Sequence, residues 1–300
     1  MLTGARSPAR RLAAALTLAR YVRHAVLMNA DQPEVRIAEV TGHADRAAAA
    51  ALLAEIWGVP VAETPVPIDL MVAFTHAGGC VLGAWVDDAL IGVTVGFAGA
   101  PGSDRIYSYI AGVTRGFAGA GVGRQLKLAQ RDWALQHAAC YLVWTYDPLI
   151  RRNAHFNLNR LGGRVVDFVP DFYPEMSDAV NAGDLPDRFV VEWTLTEPVG
   201  GRPLPDSPAG APVLLAPTAK GEPGVNRELL ASLGDESSET APPALRVWVP
   251  SDIEGLRTSD PAMGRRWRLA AREVFTALFE AGYRTRAVDR DGHYVFTREA

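Results

Sequence analysis

At 300 residues, 48% of them hydrophobic and 21% charged, the chain has the make-up of a folded globular protein rather than a disordered one. A formal net charge of −4 excludes a protein built to coat nucleic acid, which needs a concentrated basic field. No stretch reaches the twenty or so apolar residues that cross a bilayer. The length therefore predicts one large domain or two modest ones, in the cytoplasm, with neither a membrane nor a nucleic-acid partner.

Residues 1–27 carry Arg6, Arg10, Arg11, Arg20 and Arg23 and no acid. They read either as a targeting presequence or as an extension ahead of Met28, and residues 1–34 are expected to be disordered. Ordered structure begins with a strand at 35–40, then a helix at 45–58 with Ala48, Leu52 and Ile56 on one face and Gly58 as its stop. His76, within FTHAGG, is expected in a loop. Two β-rich runs, GCVLGAWV and LIGVTVGF, flank Asp87-Asp88-Ala89 and read as a hairpin. A further strand at 105–113 carries Tyr107 and Tyr109 on one face by two-residue alternation.

The segment RGFAGAGVGRQL, 115–126, follows that strand directly and holds Gly116, Gly119, Gly121 and Gly123. It enters a helix expected over 121–137, with Val122, Leu126, Ala129 and Trp133 as its apolar stripe. Glycines before a helix N-terminus free the backbone to close around an anion, and the unpaired N–H groups and the macrodipole attract it. The spacing is neither G-x-G-x-x-G nor a P-loop, because no Gly-Lys-Ser/Thr closes it, so a dinucleotide or a nucleoside triphosphate is disfavoured.

Next come a strand at 140–145, a helix around Asn153 to Leu161, and strands GRVVDFV and RFVVEWTL. Residues 197–243, rich in Pro, Gly, Ser and Glu, read as a mobile linker. Residues 244–300 supply a strand, a helix ending near Gly282 and two short strands, expected to pack on the first domain. Cys80 and Cys140 sit in apolar runs without C-x-x-C spacing and are expected as buried strand thiols, with no metal and no disulfide. The element order predicts an α/β fold with a mixed sheet.

The glycine segment resembles the pyrophosphate-binding motif of the GNAT acyltransferase superfamily, Gln/Arg-x-x-Gly-x-Gly/Ala. The motif falls on Ala118, Gly119, Ala120, Gly121, Val122 and Gly123. The resemblance covers roughly 35–196 and implies a mixed, mostly antiparallel sheet flanked by helices, with 244–300 as a small α/β extension. It also implies an acyl-CoA co-substrate. Pyrophosphate would lie on the N–H groups of 119–124, including Arg124, and pantetheine beside the strand end near Val113, where backbone N–H polarises the thioester. Ala118 stands where the family has Arg or Gln, leaving Arg115 or Arg124 to supply the missing charge. Leu158 stands where the family often has a tyrosine acid.

Four further blocks resemble a subgroup of predicted acyltransferases: YDPL at 146–149, RNAHFNLNRLGG at 152–163, DRFVVEW at 187–193 and WRLAAREVF at 267–275. That resemblance implies a bacterial-type N-acyltransferase that uses acetyl-CoA or succinyl-CoA and a small-molecule amine, including an amino acid. An oligomer is not indicated. Tyr109, Tyr146 and Asn153 are its catalytic candidates, Asn153 also its second cofactor contact, and Asp147 and His155 candidate bases. Asp147 before Pro148 reads equally as a turn. Arg268 and Arg272, four apart on one helix face, are either a clamp for a substrate carboxylate or surface partners of acids such as Glu273. The missing Arg and Tyr keep open an alternative, a non-catalytic acyl-CoA-binding or regulatory module.

Overall fold

The computed structural model describes residues 34–174, 184–200, 210–233 and 242–298. The expected N-terminal disorder thus falls outside the described residues, apart from Glu34. The chain divides into two compact units between Ala138 and Ala139, not at the compositional shifts near 197 and 244.

In the first unit β1 (Arg36–Glu39), β2 (Cys80–Val86), β3 (Ala89–Ala98) and β4 (Arg105–Val113) pair antiparallel in sequence order. Alternation along β2 sends Val81 and Trp85 to one face, and Cys80, Leu82, Ala84 and Val86 to the other. The first face is covered by α1 (His43–Trp57) and α2 (Ile68–His76), the second by α3 (Val122–Gln136). Gly83 lies beneath the Trp85 ring, where a Cβ would come within 2.4 Å of the indole.

The stripe expected on α3 is realised: Val122 and Leu126 are core, with Ala129 and Trp133 packed against it. On α1 the stripe is displaced. Ala48 is exposed, and the buried face is Ala49, Ala50, Leu52, Leu53 and Ala54. An alanine-rich run gives little contrast between faces, so periodicity could not place the stripe. Gly58 stops α1 in a left-handed conformation, φ 65°. His76 closes α2 rather than lying in a loop, a helix hidden because Pro65 and Pro67 precede it and it is short.

In the second unit the strand order is β5 (Tyr141–Tyr146), β7 (Arg188–Thr194), β6 (Arg164–Val169), β11 (Tyr283–Val288), β12 (His293–Arg298), β10 (Ala244–Trp248), β8 (Val213–Pro217) and β9 (Pro223–Val225). Only β10 and β8 run parallel among its described pairs. The fold is therefore α/β with largely antiparallel sheet and helical cover, as expected. Thr285 opposite Val165 ties the C-terminal segment to β6.

The expected mobile linker is corrected within its described part. Residues 213–232 form β8, β9 and α5 (Arg227–Ser232), with Leu214 and Leu215 fully buried. Here the apolar PVLLAP run outweighs the Pro/Gly composition around it. Two helices follow, α6 (Ile253–Ser259) and α7 (Pro261–Glu280). The Asp260 side chain caps α7 by accepting the Met263 N–H at 2.9 Å, and Pro261 opens its first turn. The buried face of α7 sets Phe275 against Phe189 (4.7 Å between centroids), Phe168 and Tyr294.

The helix expected near 153–161 begins earlier, as α4 (Arg151–Ala154), and continues as a π-helical segment (His155–Arg160). The expectation for Cys140 is also corrected. Cys80 is buried, but Cys140 is exposed just before β5.

Candidate functional site

The glycine segment lies wholly in the first unit. After β4 a single 3-10 turn (Arg115–Phe117) folds Phe117 into the core, and the chain then rises through Ala118 to α3. Gly119 and Gly121 both take left-handed conformations, φ +82° and +83°. A Cβ on either would meet nothing within 4 Å, so neither glycine is required by crowding from the fold. They are required by backbone direction, and the space over them is open.

Gly121 is the N-cap of α3 and offers no side chain to its first turn. Ala120 N–H bonds Phe117 O and Gln125 N–H bonds Gly121 O. Among the described residues no acceptor is found for the N–H groups of Gly119, Gly121, Val122, Gly123 or Arg124. Five donors without acceptors thus lie at the positive end of a 15-residue helix, in a segment with no Cβ at its two turning points. Arg115 and Arg124, both exposed, flank it. Unpaired N–H groups at a helix N-terminus are chemically suited to an anion such as a phosphate, and the segment itself carries no base or nucleophile.

One feature of β4 is not visible in its spacing. Val95 pairs with Ile110 and Gly96 with Ser108, so Tyr109 is an extra residue on β4. This bulge turns the strand ahead of the glycine segment and leaves Tyr109 38% exposed. Tyr107 and Tyr109 do share a face, both ringed against Phe97 at 5.6 and 6.1 Å. Val113 ends β4 opposite Gly92.

Behind β4 lies a buried polar cluster that sequence reasoning missed. Lys127 and Gln130, on the core side of α3, meet Ser108: Lys127 Nζ lies 2.6 Å from Ser108 Oγ, and Ser108 Oγ donates to Gln130 Oε1 at 2.7 Å. Gly96 makes the room, since a Cβ there would lie 2.8 Å from Gln130 Nε2. Burial pushes the Lys127 amine down to about 7 and the neighbouring Cys80 thiol up to about 12. A lysine and a glutamine three apart within an apolar stripe were the only available signal.

In the second unit the candidates take structural roles. Tyr146 is buried. Tyr294 donates its hydroxyl hydrogen to Pro148 O at 2.7 Å, so the 3.2 Å bond between the two phenols uses the Tyr146 proton. Burial pushes the Tyr146 phenol far above its ordinary value, so it is corrected from catalytic acid to core residue. Asp147 is not a free base. Burial alone would raise its carboxyl, but Arg268 at 2.7 Å and Arg257 at 2.8 Å more than reverse this and hold it well below the usual carboxylate range. Its Oδ1 also accepts the Leu149 N–H at 2.9 Å, which is the turn expected before Pro148.

The substrate clamp on α7 is likewise corrected. Arg268 is 1% exposed and bonds both Asp147 and Asp184. Arg272 forks onto Asp171 at 2.7 and 3.0 Å and also bonds Asp187. The acids that occupy these guanidiniums are 84 to 121 positions away in sequence, beyond what helical spacing can reveal. Asn153, half-buried in the first turn of α4, has no side-chain hydrogen bond among the described residues. His155 is exposed. Asp289, Asp291 and His293 gather at the β11–β12 turn, where Asp289 accepts the N–H groups of both others and so shapes the turn.

No family model matches the chain, and no curated protein matches it. Solved structures similar to it include an acetyltransferase of the GNAT family from Streptococcus pneumoniae, at 14% identity and TM-score 0.45 over 54% of this chain and 99% of that one. Another is the ribosomal-protein-S18-alanine N-acetyltransferase from Escherichia coli, at 11% and 0.44 over 55% and 96%. A GNAT family acetyltransferase from Elizabethkingia anophelis with acetyl-CoA bound is similar at 16% and 0.38 over 54% and 99%. These likenesses carry no weight for function, which is read from the chain's own residues. Among those described, no single helix is long and apolar enough to cross a membrane.

Proposed function

We propose that the chain is an acyl-CoA-dependent N-acyltransferase. The observation that carries this reading is the cradle: Gly119 and Gly121 left-handed with open space above them, and five backbone N–H groups without acceptors at the start of α3. In this reading the pyrophosphate of acyl-CoA lies on the N–H groups of Gly119, Gly121, Val122, Gly123 and Arg124. Arg115 and Arg124 provide the charge that Ala118 lacks. Ala118 is exposed and Ala120 half-buried, and neither carries a bulky side chain.

The β4 bulge supports the chemical half of the reading. It re-aims the strand just before Gly112 and Val113, whose backbone groups are suited to polarise a thioester carbonyl. A neutral amine attacks that carbonyl carbon, the C–S bond breaks, the thiolate takes the departing electron pair, and the amine's proton passes to solvent or a base. Holding both reactants together supplies much of the acceleration. Tyr109, exposed on the bulge, is the remaining catalytic candidate of the first unit.

The acyl group is proposed as acetyl or succinyl and the acceptor as a small-molecule amine, an amino acid among them. The test is free-thiol release from acetyl-CoA and succinyl-CoA against a panel of amines and amino acids. Turnover with one pairing, lowered in Tyr109→Phe, supports the enzyme with Tyr109 in proton transfer. Coenzyme binding without turnover on any acceptor favours the non-catalytic module, a reading supported by the buried, pinned Tyr146.

A further inference from the structure

The polar cluster behind β4 occupies a place that apolar side chains would fill at lower cost. Ser108, Lys127 and Gln130 are all buried, and the other buried residues of α3 are Val122, Leu126 and Ala134. The burial that pushes the Lys127 amine down to about 7 penalises the folded state, and Gln130 Nε2 finds no acceptor among the described residues. Gly96 is committed to the cluster as well, since a Cβ there would lie 2.8 Å from Gln130 Nε2. Polar groups kept in a core at such a penalty mark a place where a local rule yields to function.

Their position in the register says what that function is. On one side of the bulge Ser108 pairs with Gly96, and on the other Ile110 pairs with Val95. The extra residue puts Tyr109 and Ile110 in succession on the face covered by α1 and α2, Tyr109 against Phe97 and Ile110 against the core there. Alternation then resumes with its phase reversed. Gly112 falls beneath Ile56 and Trp57, where a Cβ would lie 2.8 Å from Ile56 Cδ1, and Val113 packs on the α3 side. Every residue from Tyr109 to Val113 therefore owes its face to where the bulge sits.

Two side-chain clamps hold that position. Ser108 Oγ donates to Gln130 Oε1 at 2.7 Å and accepts from Lys127 Nζ at 2.6 Å. Across the bulge, Thr94 Oγ1 donates to Ile110 O at 3.2 Å. The first clamp comes from α3, the helix whose first turn carries the cradle donors. Lys127 lies roughly 9 Å along that helix from Gly121. One rigid element thus presents the cradle at its start and grips β4 just before the bulge.

We propose that Ser108 is a positioning residue, clamped by Lys127 and Gln130 so that the β4 bulge holds the Tyr109 hydroxyl and the Gly112–Val113 backbone at a fixed place relative to the cradle. The inference rests on the acyl-CoA reading, since it concerns the geometry of that reaction. Being buried, Ser108 acts through the strand and not on either reactant.

The test uses the full chain. Thiol release is followed from acetyl-CoA or succinyl-CoA with the panel acceptor that gives turnover, and thioester affinity is read by calorimetry. Ser108→Ala is expected to lower kcat at least about tenfold, the scale on which a small misplacement is felt, and to leave the thioester Kd within about twofold. Lys127→Met removes the charged donor and fills its volume, so its urea midpoint at pH 7 should equal or exceed that of the wild type while kcat falls. Damage to the fold alone would lower both together. The double variant should be no slower than Ser108→Ala, because the two residues act through one clamp. Unchanged kcat in either single variant, a thioester Kd that weakens in proportion to kcat, or losses that multiply in the double variant would each overturn this proposal alone. Absence of thioester binding or of turnover by the wild type would overturn the acyl-CoA enzyme reading and this proposal with it.

Discussion

Asp147 shows how one side chain can be read in two ways and belong to both. Its position before Pro148 announced a turn, and the Leu149 N–H on its Oδ1 makes that turn. Its second oxygen holds Arg257, and Oδ1 also accepts from Arg268, inside the second unit. Removing one member of such a buried network strands the others. Asp147→Asn is therefore expected to lower unfolding stability by about 3–5 kcal/mol, read from the urea midpoint. An unchanged midpoint would mean that Asp184 alone satisfies both arginines. The turn was legible in the sequence because it is local. The arginine partners were not, because Asp171, Asp184 and Asp187 reach Arg268 and Arg272 only through the fold. The same reason returned Tyr146 to the core, since nothing near 146 foretells Tyr294.

Among the elements, β4 and α3 were the most legible. Strong β-formers and turn residues fixed the limits of β4 at 105–113, and a clear apolar stripe fixed α3. The elements missed were short or compositionally masked: α2 behind two prolines, and β8 inside a Pro/Gly-rich stretch. The bulge at Tyr109 was illegible because it is a matter of register between β3 and β4, and the Lys127–Ser108–Gln130 cluster was barely legible because it arises only where α3 meets the sheet. That packing carries a pH signature. Lys127 sheds its proton near 7 in the fold but near its ordinary 10.5 when unfolded, so the unfolded chain binds the extra proton between those values and stability rises with pH. Cys80 acts oppositely between 9 and about 12, where the folded state alone keeps its proton. Wild-type stability should then climb from pH 7 to about 9 and level off, and Lys127→Met should remove the climb. A variant that keeps the same slope in urea midpoints would contradict this account of the buried amine.

At the scale of the molecule, two compact units divide the candidate residues between them. The first holds the glycine cradle, the β4 bulge and the Lys127–Ser108–Gln130 cluster. The second holds Asn153 and the ion network that absorbed Asp147, Arg268 and Arg272. Composition suggested a boundary near 197, but β5, β6 and β7 share one compact unit with β8 to β12, because strand pairing sets the units and composition does not. The cradle remains the feature on which the functional account turns. It is tested most directly by calorimetric titration of the full chain with acetyl-CoA and succinyl-CoA, beside a Gly121→Glu variant. That substitution sets a carboxylate at the cradle in a left-handed position, at a conformational cost of about 1–2 kcal/mol. Saturable binding by the wild type that the variant abolishes, with its fold retained by circular dichroism, is the predicted result. Absence of binding to either thioester, or equal binding by both proteins, would contradict the cradle as the coenzyme site.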